Sequence, residues 1–503
     1  MLSPAPFYGE SLIPVSIAAE LSMPEALTPP AVVRSLRARL TFPNPDREKR
    51  QRMGMDVSGI PARVCFVRQI HTANGAQIVI PRGALSTLQR SARRAKVELS
   101  FQSQVVSKSN GRKDITDLPV DLRPYQKEAV EALLGRVQGY VRLPCGAGKT
   151  VLGCAALVAS GEPSLVIVHT EDLADQWSSA LRKMYGVKPR RLAGGTGSWD
   201  PLKPGEIMVA MVQSLHRAQW RANDLLGSAG AILLDECHHT PATTYRDILR
   251  KTPARYRWGL TATPERADGW GCLLPMHVGP ELYGMTSEDL VRKGHLLRPE
   301  IVPILSGVHL DLNAYQRKGR LNMGSATTAL GRDEGRQELI ISLAEMGARE
   351  DRTILVLVPR VKLAHTMATR LRGAGLQAAA VTGSVDKQTR ADRLEHLRTG
   401  QLQVLVATQL ADEGLDVPNL DLLINASAGR AAGRAVQRVG RAMRPSPGKA
   451  TPIVVELVDG APFRSQWGSR QRAYVAELGI EAGSPLSKDA GIERLSELLS
   501  ADA

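Results

Sequence analysis

Short apolar runs alternate with stretches of helical periodicity over most of the chain, which has 503 residues. Between residue 118 and about residue 280 the apolar runs are residues 165–168, 207–211 and 231–234. A second series follows at residues 353–358, 377–381, 404–407, 420–424 and 453–458. Such runs are typical of buried strands, and strands that alternate with helices form a parallel sheet covered by helices. The pattern therefore predicts two α/β domains in tandem.

The first 115 residues have a different pattern. Residues 63–67 and 77–80 are predicted as strands and residues 82–96 as a basic helix, which indicates a small mixed α+β domain. Residues 1–30 are rich in Pro, Ser and Ala and contain three charged side chains, so we expect a loosely held arm there. The predicted domains are residues 1–115, 116–285 and 286–460, followed by a helical tail over residues 461–503.

Basic residues outnumber acidic ones, and the surplus is uneven. The formal net charge is +15, with 65 Lys and Arg against 50 Asp and Glu. Seventeen of the basic residues and only eight of the acidic ones lie in residues 1–115. Such a surplus favours a polyanion partner through counterion release, with nucleic acid as the leading candidate and an anionic membrane as the lesser one. The alternative is a solvated basic face that keeps the protein soluble.

The composition narrows the class of protein. Hydrophobic residues make up 43% of the chain and charged residues 23%, which is typical of a globular protein rather than a disordered or fibrous one. The five cysteines contain no Cys-x-x-Cys pair, which argues against a disulfide framework or a zinc site. No apolar run reaches the ~18 residues of a membrane span, and the N-terminus lacks the pattern of a signal peptide. We therefore expect an intracellular, cytoplasmic protein.

One segment has the composition of a triphosphate-binding loop. Residues 142–150, Arg-Leu-Pro-Cys-Gly-Ala-Gly-Lys-Thr, follow a predicted strand and precede a predicted helix at residues 151–159. Small residues let backbone N–H groups approach phosphate oxygens, Lys149 neutralises their charge and the Thr150 hydroxyl reaches Mg²⁺. The usual pattern has glycine where Leu143 stands, and a Gly-rich turn before a helix is the alternative interpretation. The predicted ATP-binding residues here are Pro144, Cys145, Gly146, Ala147, Gly148, Lys149 and Thr150.

Two carboxylates follow the apolar run at residues 231–234, in the sequence Asp235-Glu236-Cys237-His238-His239. In an open parallel sheet, ligands bind at the carboxyl ends of the strands. We therefore assign Asp235 to a magnesium ion, together with Thr150, and Glu236 to orienting or deprotonating the attacking water. His238 and His239 are interpreted as relays of the nucleotide state rather than as zinc ligands, because no third ligand lies at a suitable spacing.

Arginines recur at helical spacing near the end of the second α/β region. The residues Arg430, Arg434, Gln437, Arg441 and Arg444 are separated by 4, 3, 4 and 3 positions, which predicts that all five share one helical face. Like charges on one face repel one another unless an anion lies opposite. An arginine at the phosphates speeds phosphoryl transfer by about 10³–10⁵. Arg441 and Arg444 are predicted to act in this way on an ATP held by the first α/β domain, so that domain closure would drive movement.

Taken together, these residues resemble the superfamily 2 helicases, most closely the branch with the xeroderma pigmentosum group B helicase, phage DNA helicases and restriction-enzyme motor subunits. The resemblance covers roughly residues 122–445. Leu-Arg-Pro-Tyr-Gln at residues 122–126 is similar to the adenine-side motif of that branch, which implies that Arg123 and Gln126 bind ATP. Leu-Thr-Ala-Thr-Pro at residues 260–264 matches the motif that couples hydrolysis to strand movement, which implies coupling roles for Thr261 and Thr263.

Further matches imply contacts with nucleic acid. Segments that look like backbone-contacting elements are residues 168–170, Gln176-Trp177, Gln213-Ser214, Thr382-Gly383 and residues 407–409, and the implied contacts are Thr170, Gln213, Ser214, Thr382 and Thr408. Glu-Gly-Leu-Asp-Val-Pro at residues 413–418 implies coupling by Gly414 and Asp416. Gln-Arg-Val-Gly-Arg-Ala-Met-Arg at residues 437–444 matches the arginine-finger motif, which implies that Gln437 also binds ATP.

The fold that the resemblance implies is two tandem RecA-like parallel-sheet domains after a small mixed α+β N-terminal domain. The implied activity is that of an ATP- and Mg²⁺-dependent DNA helicase or translocase that moves 3′ to 5′ on duplex or forked DNA. Residues 80–85 resemble an N-terminal domain that some members use on DNA. Residues 313–335, which include Arg317, Lys318, Arg320 and Arg332, are either a basic loop that grips DNA or a disordered connection.

Three other functions remain open at this point. One is an RNA helicase, and another is the motor of a restriction system. No Asp or Glu is followed two residues later by Lys, so a restriction-type nuclease site is not expected on this chain. The third, from a different class, is a nucleotide-gated binding module, for which a catalytic Glu236 and a transition-state arginine would serve no purpose.

Overall fold

The computed structural model describes residues 12–194, 196–218, 221–240, 242–264, 269–317, 320–408, 419–427, 432–446 and 448–501. The chain divides into two compact units. The first takes the chain up to Leu143 and then Gly148–Gly284, whereas the second takes Pro144–Ala147 and the chain from Met285 onward.

The first unit begins with a five-stranded mixed sheet. Its strands are β1 (Leu12–Ile17), β2 (Glu20–Pro24), β5 (Arg68–Thr72), β6 (Gly75–Pro81) and β7 (Glu98–Ser103), in the order β5-β6-β2-β1-β7. A separate antiparallel pair consists of β3 (Thr41–Pro43) and β4 (Arg63–Cys65). Three helices accompany these strands, namely α1 (Pro30–Arg39), α2 (Pro45–Arg52) and α3 (Leu85–Arg94). Helices α1 and α3 bury Leu36 and Leu88 in one core with the sheet, which confirms the predicted mixed α+β N-terminal domain.

The prediction of a loosely held arm is wrong for residues 12–30. Strands β1 and β2 pair with each other and occupy inner positions of the sheet. Ile13 and Val15 on β1, and Leu21 and Met23 on β2, are fully buried. These apolar residues alternate with polar residues or proline, which is a strand signal, but the runs are too short to stand out in a segment rich in Pro and Ser.

The rest of the first unit is a seven-stranded parallel sheet with its helices. The strands are β8 (Gln138–Arg142), β9 (Ser164–Val168), β10 (Arg190–Leu192), β11 (Ile207–Met211), β12 (Ala231–Leu234), β13 (Tyr256–Thr261) and β14 (Glu281–Gly284), in the order β10-β11-β9-β12-β13-β8-β14. The helices are α4 (Pro124–Leu134), α5 (Lys149–Ser160), α6 (Glu171–Tyr185), α7 (Val212–Arg217), α8 (Ala222–Ser228), α9 (Thr243–Arg250) and α10 (Leu273–His277). Every residue of β9 and β12 is buried, so both faces of the sheet are covered there.

The N-terminal domain packs against the rest of the first unit through α10 and two buried arginines. Side chains of α10 belong to the same apolar core as the five-stranded sheet. The buried guanidinium of Arg82 donates hydrogen bonds to the carbonyls of Ala254, at 2.5 Å, and Arg255, at 2.7 Å. In return, Arg257 on β13 donates to the carbonyl of Ala19, between β1 and β2, at 2.8 Å. Arg82 lies in the segment that resembles DNA-binding N-terminal domains. Its guanidinium group is therefore already hydrogen-bonded to backbone carbonyls of the protein.

The second unit contains a six-stranded parallel sheet. Its strands are β15 (Glu300–Leu305), β18 (Ile354–Val358), β19 (Ala378–Val381), β20 (Val404–Thr408), β21 (Leu422–Asn425) and β22 (Ile453–Val458), in the order β15-β22-β21-β18-β20-β19. A two-stranded pair is formed by β16 (Gln316–Arg317) and β17 (Arg320–Leu321). The helices are α11 (Ser287–Arg292), α12 (Met323–Arg332), α13 (Glu334–Arg349), α14 (Val361–Gly373), α15 (Lys387–Arg398), α16 (Ala432–Ala442), α17 (Arg464–Ala473) and α18 (Lys488–Ser500).

Two parallel sheets with buried strands confirm the predicted tandem α/β architecture. The predicted helical tail is also present, as α17, a π-helical turn at Tyr474–Leu478, and α18. Between β15 and α13, the described residues form a 3-10 turn at Leu312–Tyr315, the pair β16 and β17, and α12, so a disordered connection is the wrong alternative for them. Within the described ranges, no helix combines the length and the apolarity needed to cross a bilayer.

Candidate nucleotide site

The predicted phosphate-binding segment lies between β8 and α5, in the strand–loop–helix order that its sequence indicates. Gly146 and Gly148 have φ angles of +86° and +75°, which glycine adopts without steric strain. A Cβ built on Gly148 would lie only 2.5 Å from the Nε2 atom of Gln126. A larger residue at position 148 would therefore strain the backbone and clash with the Gln126 side chain.

The predicted adenine-side residues lie at the start of α4. Gln126 is buried, and its Oε1 atom accepts a hydrogen bond from the backbone N–H of Arg123 at 3.0 Å. This contact leaves the amide nitrogen of Gln126 directed toward Gly148. Lys149, the first residue of α5, donates from Nζ to the carbonyl of Leu143 at 3.2 Å. The fold thus brings together two segments of sequence that the motifs had identified separately.

The two carboxylates follow β12 directly. Asp235 is buried, and its Oδ2 atom accepts a hydrogen bond from the indole nitrogen of Trp177 at 2.7 Å. Its Oδ1 atom accepts from the backbone N–H of Glu236 at 3.0 Å. Glu236 has a φ of +47°, a left-handed conformation that costs a non-glycine residue about 1–2 kcal/mol. Strain of this kind is retained mainly at functional sites, where it aims a side chain.

Trp177 does not have the surface position that the family resemblance implied. The resemblance put Gln176-Trp177 in an element that contacts the nucleic-acid backbone, but the indole is completely buried and holds Asp235. The role of Trp177 as a support for the carboxylate could not be read from the sequence, because α6 and β12 are separated by about fifty residues of chain.

The pKa values of the two carboxyl groups shift in opposite directions. Burial raises the pKa of Asp235, and the neighbouring charge of Glu236 raises it further. Burial also acts to raise the pKa of Glu236, but His238, Lys149 and His169 together outweigh burial and lower it. Glu236 therefore stays ionised, as a group that accepts a proton must. Ionisation of Asp235 costs free energy, because its carboxylate is buried.

A chain of polar contacts leads from Glu236 to the end of β13. The Nδ1 atom of His238 lies 3.3 Å from Glu236 Oε2 and 3.0 Å from Thr261 Oγ1. The Thr261 hydroxyl donates to the carbonyl of Thr263 at 3.0 Å and accepts from its N–H at 3.2 Å. The structure thus brings together His238, Thr261 and Thr263, which the sequence had grouped only by their expected coupling role.

Two further histidine rings, those of His239 and His169, extend this series of contacts. The ring of His239 lies 4.2 Å from that of His238 and 4.9 Å from that of His169, measured between centroids. The carbonyl of His169 accepts a hydrogen bond from the exposed Gln213 amide at 2.9 Å. In the part of the chain that the structure describes, no three His, Cys, Asp or Glu side chains are grouped so that they could hold a metal ion by themselves.

Of the other residues predicted to contact nucleic acid, only some lie at the surface. Thr170 caps the N-terminus of α6, where its hydroxyl accepts from the N–H of Leu173 at 3.3 Å, and Ser214 is half-buried on α7. Thr382 and Thr408 lie at the carboxyl ends of the paired strands β19 and β20, with buried side chains. The sequence did not indicate that these two side chains are buried. Their contact with nucleic acid stays a prediction.

The arginine-bearing helix α16 ends at Ala442, which places Arg441 in its last turn. The prediction that all five residues share one helical face is wrong for Arg444, because this residue follows the helix. Arg430, the side chains of Arg434 and Gln437, and the coupling residues Gly414 and Asp416 lie outside the described residues.

Lys449 supports the end of α16, a role that the sequence did not reveal. Its ammonium group donates to the carbonyls of Ala442, at 2.7 Å, and Arg444, at 2.8 Å. A cation at this position satisfies carbonyls that the helix leaves unpaired. Burial lowers the pKa of Lys449 to about 8, although the carboxylate of Asp421 acts against this shift.

Comparisons with known proteins agree with this geometry. Residues 119–266 match the family model of the type III restriction enzyme res subunit, and residues 336–446 match that of the helicase conserved C-terminal domain. In both segments the chain is similar to the superfamily 2 helicases. The predicted resemblance is therefore confirmed.

Individual relatives point to the same branch. The DNA 3'-5' translocase XPB2 of Sulfurisphaera tokodaii is 29% identical over 373 residues, which cover 67% of this chain and 82% of that protein. The DNA 3'-5' helicase XPB of Kineococcus radiotolerans is 26% identical over 74% of this chain and 66% of its own length. A structure of S. cerevisiae Dbp5 bound to RNA matches with a TM-score of 0.51 at 13% identity, over 75% of this chain and 98% of that one. The structural likeness confirms the fold, with its tandem RecA-like domains.

Proposed function

We propose that the chain is an ATP-dependent DNA helicase or translocase, which couples ATP hydrolysis to 3′-to-5′ movement on DNA. One observation carries the proposal: Glu236, held beside a phosphate-binding loop, is connected through His238 to Thr261. A site built only to bind a nucleotide would not need an ionised carboxylate for water or a contact chain that leads away from it. The names of the relatives support DNA as the polymer and 3′ to 5′ as the direction.

ATP and Mg²⁺ both fit the residues of this site. Gly146 and Gly148, with positive φ angles, lead into the N-terminus of α5 at Lys149, and the backbone N–H groups of such a helix start bind phosphate oxygens. Burial raises the pKa of Asp235, and a cation beside the carboxylate would relieve the cost of that buried charge. Asp235 and Thr150 would hold the ion, which supplies positive charge beside the phosphates when it is bound.

The remaining residues take roles around the triphosphate. Lys149 neutralises phosphate charge, and Glu236 orients the attacking water and accepts its proton. Arg441 and Arg444 stabilise the negative charge of the transition state. Arg123, Gln126 and Gln437 hold the nucleotide, whereas His238, His239, Thr261, Thr263, Gly414 and Asp416 couple its state to movement. Thr170, Gln213 and Ser214 face the nucleic acid, whereas the predicted contacts of Thr382 and Thr408 would need their buried side chains to become accessible.

The DNA partner in this proposal is a duplex or a fork, and the N-terminal domain contributes to its binding. Helices α1 and α3 lie side by side, with the hydroxyl oxygens of Ser35 and Ser91 3.0 Å apart. Neither helix contains an acidic residue. Together they expose five arginines, here called the arginine face: Arg34, Arg37, Arg90, Arg93 and Arg94. Such a face complements a phosphate backbone.

The activity is tested by measuring ATP turnover without polymer and with single-stranded DNA, duplex DNA or RNA. We expect duplex or forked DNA to stimulate turnover and Glu236→Gln to abolish it. Stimulation by RNA alone would favour an RNA helicase, and no turnover with any polymer would favour a nucleotide-gated binding module. Displacement of a third strand from an intact duplex then reports translocation, whereas strand release from forks with a 3′ or a 5′ tail reports unwinding and its direction.

The arginine face is tested through the salt dependence of DNA affinity. The double variant Arg90→Gln/Arg93→Gln should reduce the slope of log affinity against log salt by about 0.9 for each phosphate that the protein no longer neutralises. A matched control is Arg50→Gln/Arg52→Gln on α2, a helix that also carries Asp46 and Glu48. An equal change of slope in both double variants would show a general charge effect and would sink the proposal for this face.

A further inference from the structure

The helicase C-terminal family model ends at residue 446, but the second unit continues through β22 and α17. Strand β22 carries the carboxylate of Glu456, whose side chain is completely buried. The strand is followed by a second buried carboxylate, Asp459. Buried carboxylates are costly unless they are paired and hydrogen-bonded, so each of them needs an explanation.

Glu456 is paired with a residue of the C-terminal helix α17. The Nε atom of Arg470 donates to Glu456 Oε2 at 2.8 Å, and both side chains are buried. On the other carboxylate oxygen, Glu456 Oε1 accepts from the amide of Asn425 at 2.8 Å and from the hydroxyl of Tyr474. Burial raises the pKa of Tyr474, and Glu456 adds to the shift, so that its hydroxyl remains a donor.

The contacts continue from Asn425 to the arginine-bearing helix. The Oδ1 atom of Asn425 accepts from the Ser427 hydroxyl at 2.7 Å, and the Ser427 hydroxyl oxygen in turn accepts from Nη1 of Arg438 at 3.0 Å. Arg438 is buried on α16, one helical turn before Arg441. The linked side chains, here called the β22 network, are Glu456, Arg470, Tyr474, Asn425, Ser427 and Arg438.

A second buried ion pair, between Asp459 and Arg336, lies at the carboxyl ends of β22 and β21. Asp459 accepts two hydrogen bonds from Arg336 on α13, at 2.8 Å from Nε and 3.1 Å from Nη2. The same guanidinium also donates from Nη2 to the carbonyl of Ala426 at 2.8 Å. Residues 425–427, at the carboxyl end of β21, are therefore fixed by two buried arginines shortly before α16 begins.

We propose that the β22 network is a positioning device that sets the rotation of α16, and with it the placement of Arg441 in the last turn of that helix. The C-terminal helix α17 then contributes to hydrolysis through Arg470, although it lies outside the segment that matches the family model. This inference rests on the proposed role of Arg441 at the phosphates.

The effect of such a device follows from helix geometry. A side chain extends about 6 Å from the axis of its helix, so a rotation of about 10° displaces its end by about 1 Å. A displacement of that size can slow a positioned reaction by about 100-fold. Because the misplaced arginine acts in the transition state, the loss should appear in kcat and leave the KM for ATP nearly unchanged.

The test is a double-mutant cycle in the full-length protein, with DNA-stimulated ATP turnover as the assay. Arg470→Gln should lower kcat by about 10- to 100-fold and change KM by less than about threefold. Arg470→Lys keeps a charge opposite Glu456 and should recover most of kcat. In an Arg441→Ala background, Arg470→Gln should have no further effect, because residues that act through one group are not additive.

A control separates positioning from stability. Arg370 joins α14 to α13 in the same unit, where its Nη1 donates to Gln337 Oε1 at 2.7 Å. Arg370→Gln should lower the melting temperature without changing kcat. If Arg470→Gln fails to fold, Tyr474→Phe removes a single donor to Glu456 at constant shape, and the same cycle is run with that variant.

The outcomes distinguish this inference from the proposed function. No DNA-stimulated turnover by the wild type would contradict the proposed function, and normal turnover by Arg441→Ala would contradict the role of that arginine. If the wild type is active and Arg441→Ala is impaired, the network is judged by its own variants. A folded Arg470→Gln or Tyr474→Phe with wild-type kcat, or a loss that adds to that of Arg441→Ala, overturns the positioning role.

Discussion

His277 should make the stability of the first unit depend on pH. It ends α10, its side chain is buried, and its ring lies 6.0 Å from the ring of Phe66 in the N-terminal domain. Burial lowers the pKa of His277 to about 3, and nearby arginines, foremost Arg246 and Arg257, act in the same direction. Its Nε2 atom has no hydrogen-bond partner among the described residues. The folded protein therefore holds a neutral imidazole where α10 packs against the N-terminal domain.

The sign and size of the effect follow from the two pKa values. An unfolded histidine has a pKa of about 6.5, so above that pH neither state is protonated and stability does not depend on this group. As the pH falls from about 6.5 toward the folded value of about 3, the unfolded chain takes up a proton that the folded protein excludes. At pH 5 the free energy of unfolding should therefore be lower by about 2 kcal/mol.

Urea unfolding at pH 7 and pH 5 measures this difference. Tryptophan fluorescence is a suitable signal, because the ring of Trp270 lies 6.4 Å from that of Phe66. Between the two pH values, the wild type should lose about 2 kcal/mol more than His277→Leu, which cannot take up the proton. The control is His71→Leu, at an exposed position on β5. An equal loss in the wild type and His277→Leu would refute the reasoning.

Three further substitutions test other parts of the molecule. Glu236→Gln should keep ATP affinity while turnover falls at least about 100-fold, and normal turnover would refute its role with the attacking water. Gly148→Ala should abolish ATP binding in a fluorescent-nucleotide assay, because its Cβ would lie 2.5 Å from Gln126 Nε2; unchanged affinity would show that the loop can yield. Arg82→Met removes the two hydrogen bonds to Ala254 and Arg255 and should cost about 2–4 kcal/mol. Limited proteolysis after β7 should then quicken, and an unchanged cleavage rate would argue against a docking role for Arg82.

Much of the nucleotide site could be predicted from the sequence because its chemistry is local. The predicted phosphate-binding loop is one continuous segment, and Asp235 and Glu236 follow directly on a buried apolar strand. In a parallel sheet, the carboxyl ends of the strands lie at one edge, so a few contiguous motifs are enough to predict a common site. The parallel α/β architecture was predictable for a related reason, since its strands are uniformly apolar and alternate with helices.

The ends of elements and the short strands were predicted less well. Strands β1 and β2 have only two buried apolar residues on each inward face, and their neighbours are Pro and Ser. The helical face predicted for the arginines of the second domain extended too far, because α16 ends at Ala442, where the ammonium group of Lys449 binds the last carbonyl. The spacing of residues along the chain does not show which tertiary contact ends a helix.

The sequence by itself therefore determined the architecture and the resemblance to the helicases, and it predicted the chemistry of the candidate nucleotide site. Only the tertiary structure decided which distant residues support that chemistry. Trp177 binds Asp235, Arg257 binds Ala19, and Arg470 binds Glu456. Each of these partners is a buried polar group that had to be satisfied after the sheets had formed, and the residue that satisfies it is chosen by proximity in space. Proximity of that kind arises when elements pack, and it leaves no periodic pattern in the chain.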